Sequence, residues 1–176
     1  MSQPMHDKVC PLRGGQHAHE RSVENLLSVP STPTLANTFT LAYYEELLRV
    51  ARDFDHWSVI AHLDLIRRYD PTPTGPMPFE DVRDITAEIL KVAISRGRGI
   101  EVNTSGWRYG LGGPQPTEDV LRLYRDLGGT IVTIGSDSHK PSHLGSYLRI
   151  AKDLLRSVGF ERFCTYKLME PRFHEL

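Results

Sequence analysis

Cysteine is scarce in this 176-residue chain: Cys10 and Cys164 are the only two, and neither belongs to a Cys-x-x-Cys pair. That excludes a disulfide framework and a thiol-based zinc knuckle, and makes a reducing cytoplasm the expected setting. Long apolar runs are missing too. None approaches the roughly 18–20 residues that cross a bilayer, and the N-terminus has no uninterrupted apolar segment of the secretory kind. Nor is there an excess of either charge, with 21 Lys and Arg against 22 Asp and Glu. Such a balance gives no electrostatic pull toward nucleic acid or an anionic membrane. A phosphate-cradling Gly-rich loop followed by Lys-Ser/Thr is absent, since Gly110-Leu111-Gly112-Gly113 has no such lysine after it. This argues against an ATPase. No Gly-x-Ser-x-Gly elbow occurs, so a serine-hydrolase reading has no support.

What is present is alternation. Residues 1–37 hold Pro4, Pro11, Pro30, Pro33 and the Gly14-Gly15 pair with little periodicity, and are expected to be irregular or poorly ordered. Residues 38–176 are expected to form one α/β domain. Leu41, Tyr44, Leu47, Leu48 and Ala51 recur at helical spacing. A short strand over Trp57–Ala61 follows, then a proline-rich loop through Pro71 and Pro76. Phe79–Arg96 reads as a helix, Gly99–Asn103 as a strand, and Thr117 as the N-cap of a helix reaching Leu127. Gly128-Gly129 stops that helix, Thr130–Ile134 is the next strand, and Ser142–Val158 a further helix. Phe163–Tyr166 is a last strand. Helices alternating with strands imply parallel strands and right-handed crossovers, with chemistry at the strands' carboxyl ends.

Two of those ends carry paired ligand-type residues. Asp137 and His139 follow the Thr130–Ile134 strand, and His62 and Asp64 follow the earlier one. Alternate residues of an extended segment share a face, so each pair is expected to point at one spot. Oxygen and nitrogen donors at this spacing suit a divalent transition metal. Asp64 either caps the next turn or accepts from a ligand histidine's far N–H. Arg67 and Arg68 either pair with carboxylates or clamp a phosphate. Glu101 is either an ion-pair partner or an acid–base group. Asn103 and Ser105 either tie down their loop or donate to a bound anion. His17 and His19 have His-x-His spacing but lack a preceding apolar strand, and His143 reads as a surface or capping residue.

Taken as a set, several stretches resemble the histidinol-phosphatase family of the polymerase-and-histidinol-phosphatase superfamily. They are Tyr43-Tyr44-Glu45-Glu46-Leu47, His62 to Tyr69, Glu101 to Gly106, Gly128-Gly129, Gly135-Ser136-Asp137-Ser138-His139, and Phe163 to Phe173. The resemblance covers about Thr38 to Leu176. It implies a distorted (β/α)7 TIM-like barrel holding a cluster of two or three divalent metals (zinc, manganese or iron). It further implies hydrolysis of L-histidinol phosphate to L-histidinol and phosphate in histidine biosynthesis. By motif, His62, Asp137 and His139 would be metal ligands, with Asp137, His139 and Glu101 catalytic. Arg67, Arg68, Asn103 and Ser105 would meet the substrate. Such barrels run to roughly 250 residues, and the family opens with a His-x-His strand, so the chain is expected to lack the first half of the barrel. The partner expected is a small phosphorylated substrate, with self-association or a complementing chain at the open barrel edges.

Overall fold

The computed structural model of the protein describes residues 33–70 and 75–176. The expectation for residues 1–32, including the His17/His19 pair, lies outside them. The first helix, α1 (Pro33–Asp53), starts ahead of the expected 37/38 boundary. The remaining elements are β1 (Val59–Ile60), a 3-10 turn (Leu65–Arg68), α2 (Phe79–Ser95), β2 (Gly99–Asn103) and the short α3 (Ser105–Arg108). Then come α4 (Glu118–Asp126), β3 (Val132–Gly135), a 3-10 turn (Pro141–His143), α5 (Leu148–Val158), β4 (Arg162–Lys167) and β5 (Glu170–Glu175). No helix among the described residues is long and apolar enough to cross a membrane.

The strands β1, β2 and β3 form a parallel sheet in that order. Pairing runs Ile60 to Ile100 on one side of β2, and Ile100 to Val132 through Asn103 to Gly135 on the other. Being central, β2 buries Ile100 and Val102 completely. The helices follow their apolar stripes. In α2, Val82, Thr86, Ile89, Leu90 and Ala93 face inward while Glu80 and Asp81 occupy the first turn, where the helix dipole favours negative charge. In α5, Ala151, Leu155 and Val158 are buried, and Gly159 closes the helix in the left-handed region at φ 100°. With Leu63, Leu121 and Tyr124 these residues make one apolar core. Each large aliphatic side chain so buried contributes about 1.5–3 kcal/mol.

Three expectations need correction. The helix expected over Ser142–Val158 begins only at Leu148, because Gly145 and Tyr147 both adopt positive φ and break the chain before it. Leu41 is 39% exposed and so lies off the buried face of α1. The last strand does not extend the parallel order: β4 pairs antiparallel with β5 across a tight turn at Leu168 and Met169, both left-handed at φ 52° and 67°. Without Gly or Asn at that turn, the usual hairpin signal was missing from the sequence.

Candidate active site

The site is built on the carboxyl ends of β2 and β3. Glu101, the half-buried residue of β2, turns its side chain across Gly135 of β3, where any Cβ would collide with its carboxylate. The absence of a side chain at 135 is therefore what lets Glu101 lie there. Glu101 Oε2 accepts from the backbone N–H of His62 and from Asn103 Nδ2, both at 3.2 Å. Asn103, fully buried, accepts at Oδ1 from the Ser105 backbone N–H (2.9 Å) and hydroxyl (2.6 Å). Glu101, Asn103 and Ser105 thus form one hydrogen-bonded chain along the strand end, reaching β1 through His62.

Beyond β3 the backbone turns sharply, with Asp137 at φ 47°. This strained loop is pinned from below by Arg108, whose guanidinium donates to the Ser136 carbonyl (2.7 Å) and the Asp137 carbonyl (2.8 Å). Ser136 Oγ accepts from the Gly145 N–H at 3.2 Å. Held so, Asp137 Oδ1 lies 3.2 Å from His139 Nε2, and Asp137 Oδ2 lies 3.7 Å from Arg68. Burial works to raise the Asp137 pKa. It is outweighed by the Ser105 hydroxyl, and then by His139 and Arg68, which together hold the carboxyl below its usual range. The single Ser105 hydroxyl proton serves Asn103 or Asp137, never both at once.

Arg68 arrives from the 3-10 turn. Its Nη2 donates to Ser105 Oγ (2.6 Å) and Gln115 Oε1 (2.9 Å), and its guanidinium stacks 3.8 Å above the centre of the Tyr109 ring. Arg67 goes elsewhere. It pairs with Asp64 at 3.5 Å, and no contact joins it to Asp137, His139 or Ser105. Of the two arginines expected to meet phosphate, the structure brings only Arg68 to the site.

His62 and Asp64 also part company. β1 has two residues, and His62 at φ 33° ends its extended alternation, so the two side chains do not share a face. Asp64 is buried, accepting from the Thr117 N–H (2.9 Å) and from Arg67. Burial raises its pKa to about 6, against the pull of Arg67. It does not accept from a histidine, so that expected role is not formed. His62 Nδ1 is buried without a hydrogen-bond partner. Among the described residues no three His, Cys, Asp or Glu side chains are gathered closely enough to hold a metal ion. His62 therefore does not complete a three-ligand group with Asp137 and His139.

Three supporting residues escaped the sequence reading: Arg108, Tyr109 and Gln115. Gln115 lies between two prolines and is fully buried, an unusual place for an amide, and its burial is set by the tertiary fold.

Known proteins share this arrangement of sequence and backbone. Histidinol-phosphatase of Lactococcus lactis subsp. lactis is 30% identical over 132 residues, which is 73% of this chain and 47% of that protein. A probable histidinol-phosphatase of Thermotoga maritima is 34% identical over 102 residues, 58% of this chain and 41% of its own length. Another, from Clostridium acetobutylicum, is 31% identical over 128 residues, 68% and 49% respectively. The crystal structure of the Lactococcus lactis histidinol phosphate phosphatase, complexed with zinc, L-histidinol and phosphate, superposes with a TM-score of 0.69. That match is 27% identical and covers 83% of this chain and 54% of the other. No family model matches. The chain spans about half the length of the curated relatives it matches, and over that part it is similar to the histidinol-phosphatases.

Proposed function

We propose that this chain carries part of the site of a metal-dependent phosphomonoesterase acting on L-histidinol phosphate. The three-stranded parallel sheet is, in this reading, a portion of a (β/α)7 barrel. One observation carries it: an ionised carboxylate, an imidazole and a guanidinium converge at Asp137, His139 and Arg68 beyond the ends of parallel strands. The donor set fits a metal in part. Asp137 offers oxygen, His139 nitrogen, and the buried Nδ1 of His62 is left unpartnered. Asp137 and His139 would hold it, and further ligands would have to complete the set. When bound, a divalent cation supplies Lewis acidity and a water of lowered pKa.

The chain's own residues define the rest. A phosphate monoester beside ionised Asp137 meets like charge, which a bound cation would offset. Arg68 contributes a fixed positive charge and a planar set of donors suited to a phosphoryl oxygen. Glu101, bonded to the His62 N–H and to Asn103, anchors the floor on which these groups stand and is the nearby acid–base candidate. Ser105 and Asn103 serve mainly as its buttress, with the Ser105 hydroxyl reaching Arg68. The Lactococcus lactis complex with zinc, L-histidinol and phosphate supports this substrate class.

A second reading has its own observation: with fewer than three ligands gathered among the described residues, the site would be completed by another chain or remain inactive. One experiment separates the two. Purified chain is assayed for metal content and for phosphate release from L-histidinol phosphate with added zinc or manganese. Bound metal with turnover supports independent catalysis. A metal-free, inactive monomer overturns it, and activity confined to an oligomer assigns completion to a second copy.

A further inference from the structure

We infer that Gln115 and Tyr109 are positioning residues for Arg68, fixing its guanidinium so that it presents a donor to an oxyanion; the anion rests on the phosphatase reading above. Both Nη2 protons of Arg68 are used, one on Ser105 Oγ and one on Gln115 Oε1. Its Nε, by contrast, is buried with no hydrogen-bond partner. An unmet buried N–H is costly unless a ligand meets it. The side chain is 12% exposed, so it has little room to turn away.

Two neighbours set its pose. Tyr109, at 3.8 Å from Cζ, covers one face of the plane and prevents tilting. Gln115 fixes rotation within the plane, and it is itself immobile. Its Nε2 donates to the Asp64 carbonyl at 3.3 Å, and its backbone exchanges two hydrogen bonds with Asn103 (2.7 and 2.9 Å). An amide is the apt residue here, because it holds Arg68 without cancelling its charge. A carboxylate at the same place would neutralise the cation that an anion is to meet. The clamp therefore leaves Arg68 oriented and positively charged, with its Nε–H unmet.

Two readouts test this on the full chain. The Nε–H resonance of Arg68, assigned by its loss in Arg68→Lys, reports the pose by side-chain nitrogen NMR. Titration with inorganic phosphate reports the consequence. In the native chain the resonance should be sharp and should shift with phosphate. Gln115→Leu and Tyr109→Leu should broaden it and weaken phosphate binding by about tenfold. Tyr109→Phe, which keeps the ring, should restore both. Because Tyr109 is half exposed, its variants test the clamp even where Gln115→Leu fails to fold. An unchanged resonance and affinity in Tyr109→Leu overturns the inference. A resonance that depends on Gln115 and Tyr109 in a chain with no affinity for phosphate upholds the clamp and removes the anion from the phosphatase reading.

Discussion

The two strand ends that look alike in sequence behave differently in the fold. Past β3, Asp137 and His139 meet at 3.2 Å in a half-open loop, with His139 75% exposed and Asp137 25%. Past β1, His62 and Asp64 separate, and Asp64 sinks to 1% exposure beneath the N-terminus of α4. Both turns pass through positive φ, so local strain does not distinguish them. The difference lies in what surrounds each carboxylate. Asp137 is surrounded by side chains that carry positive charge or donate, and it stays ionised near solvent. Asp64 finds a backbone N–H and one long ion pair, and burial lifts its pKa to about 6. A ligand-type pair is thus a site only where the fold leaves its carboxylate near solvent and ringed by donors.

The sharpest way to break this contrast is to remove each carboxylate in turn. Asp137→Ala should lower phosphate release by more than about 100-fold and reduce bound metal, since ligand losses exceed those of residues behind them. Its unfolding midpoint in urea should barely move. Asp64→Ala should do the reverse, costing about 2 kcal/mol by stranding the Thr117 N–H and Arg67, while metal content holds. Equal effects on metal from both variants would erase the distinction.

Gly135→Ala extends the test to the floor. The new Cβ enters the space of the Glu101 carboxylate, and relieving that overlap should cost about 1–3 kcal/mol. A crystal structure of the variant should show Glu101 displaced from the His62 N–H.

The smallest effect concerns Cys164, on β4 and away from either pair. Burial pushes this thiol above its ordinary range, toward the neutral form. Its contribution to stability is present below the ordinary thiol pKa and fades as pH rises through the raised one. At pH 8 the peptide bearing Cys164 should label with iodoacetamide many times more slowly in native protein than in urea, by mass spectrometry.

Much of the scaffold was legible, and for identifiable reasons. β2 was readable to the residue because Ile100 and Val102, alternating with Glu101, lie between Gly99 and Asn103. Asp137 and His139 lie 3.2 Å apart, but the loop's bend under Arg108, not strand alternation, brings them together. Arg67 and Arg68 could not be told apart, since adjacent residues of a 3-10 turn diverge and sequence does not say which faces the sheet. Gln115 was beyond reach because it meets Arg68 across 47 residues, a contact only the tertiary fold creates.

The central claim is that the imidazole at 139 and the carboxylate at 137 together take a divalent cation. Zinc titration followed by the side-chain nitrogen resonances of histidine tests it directly. The His139 resonances should move with added zinc in the native chain and stay fixed in Asp137→Ala. Resonances of His139 that ignore zinc in the native chain, or follow it equally in both, would contradict it.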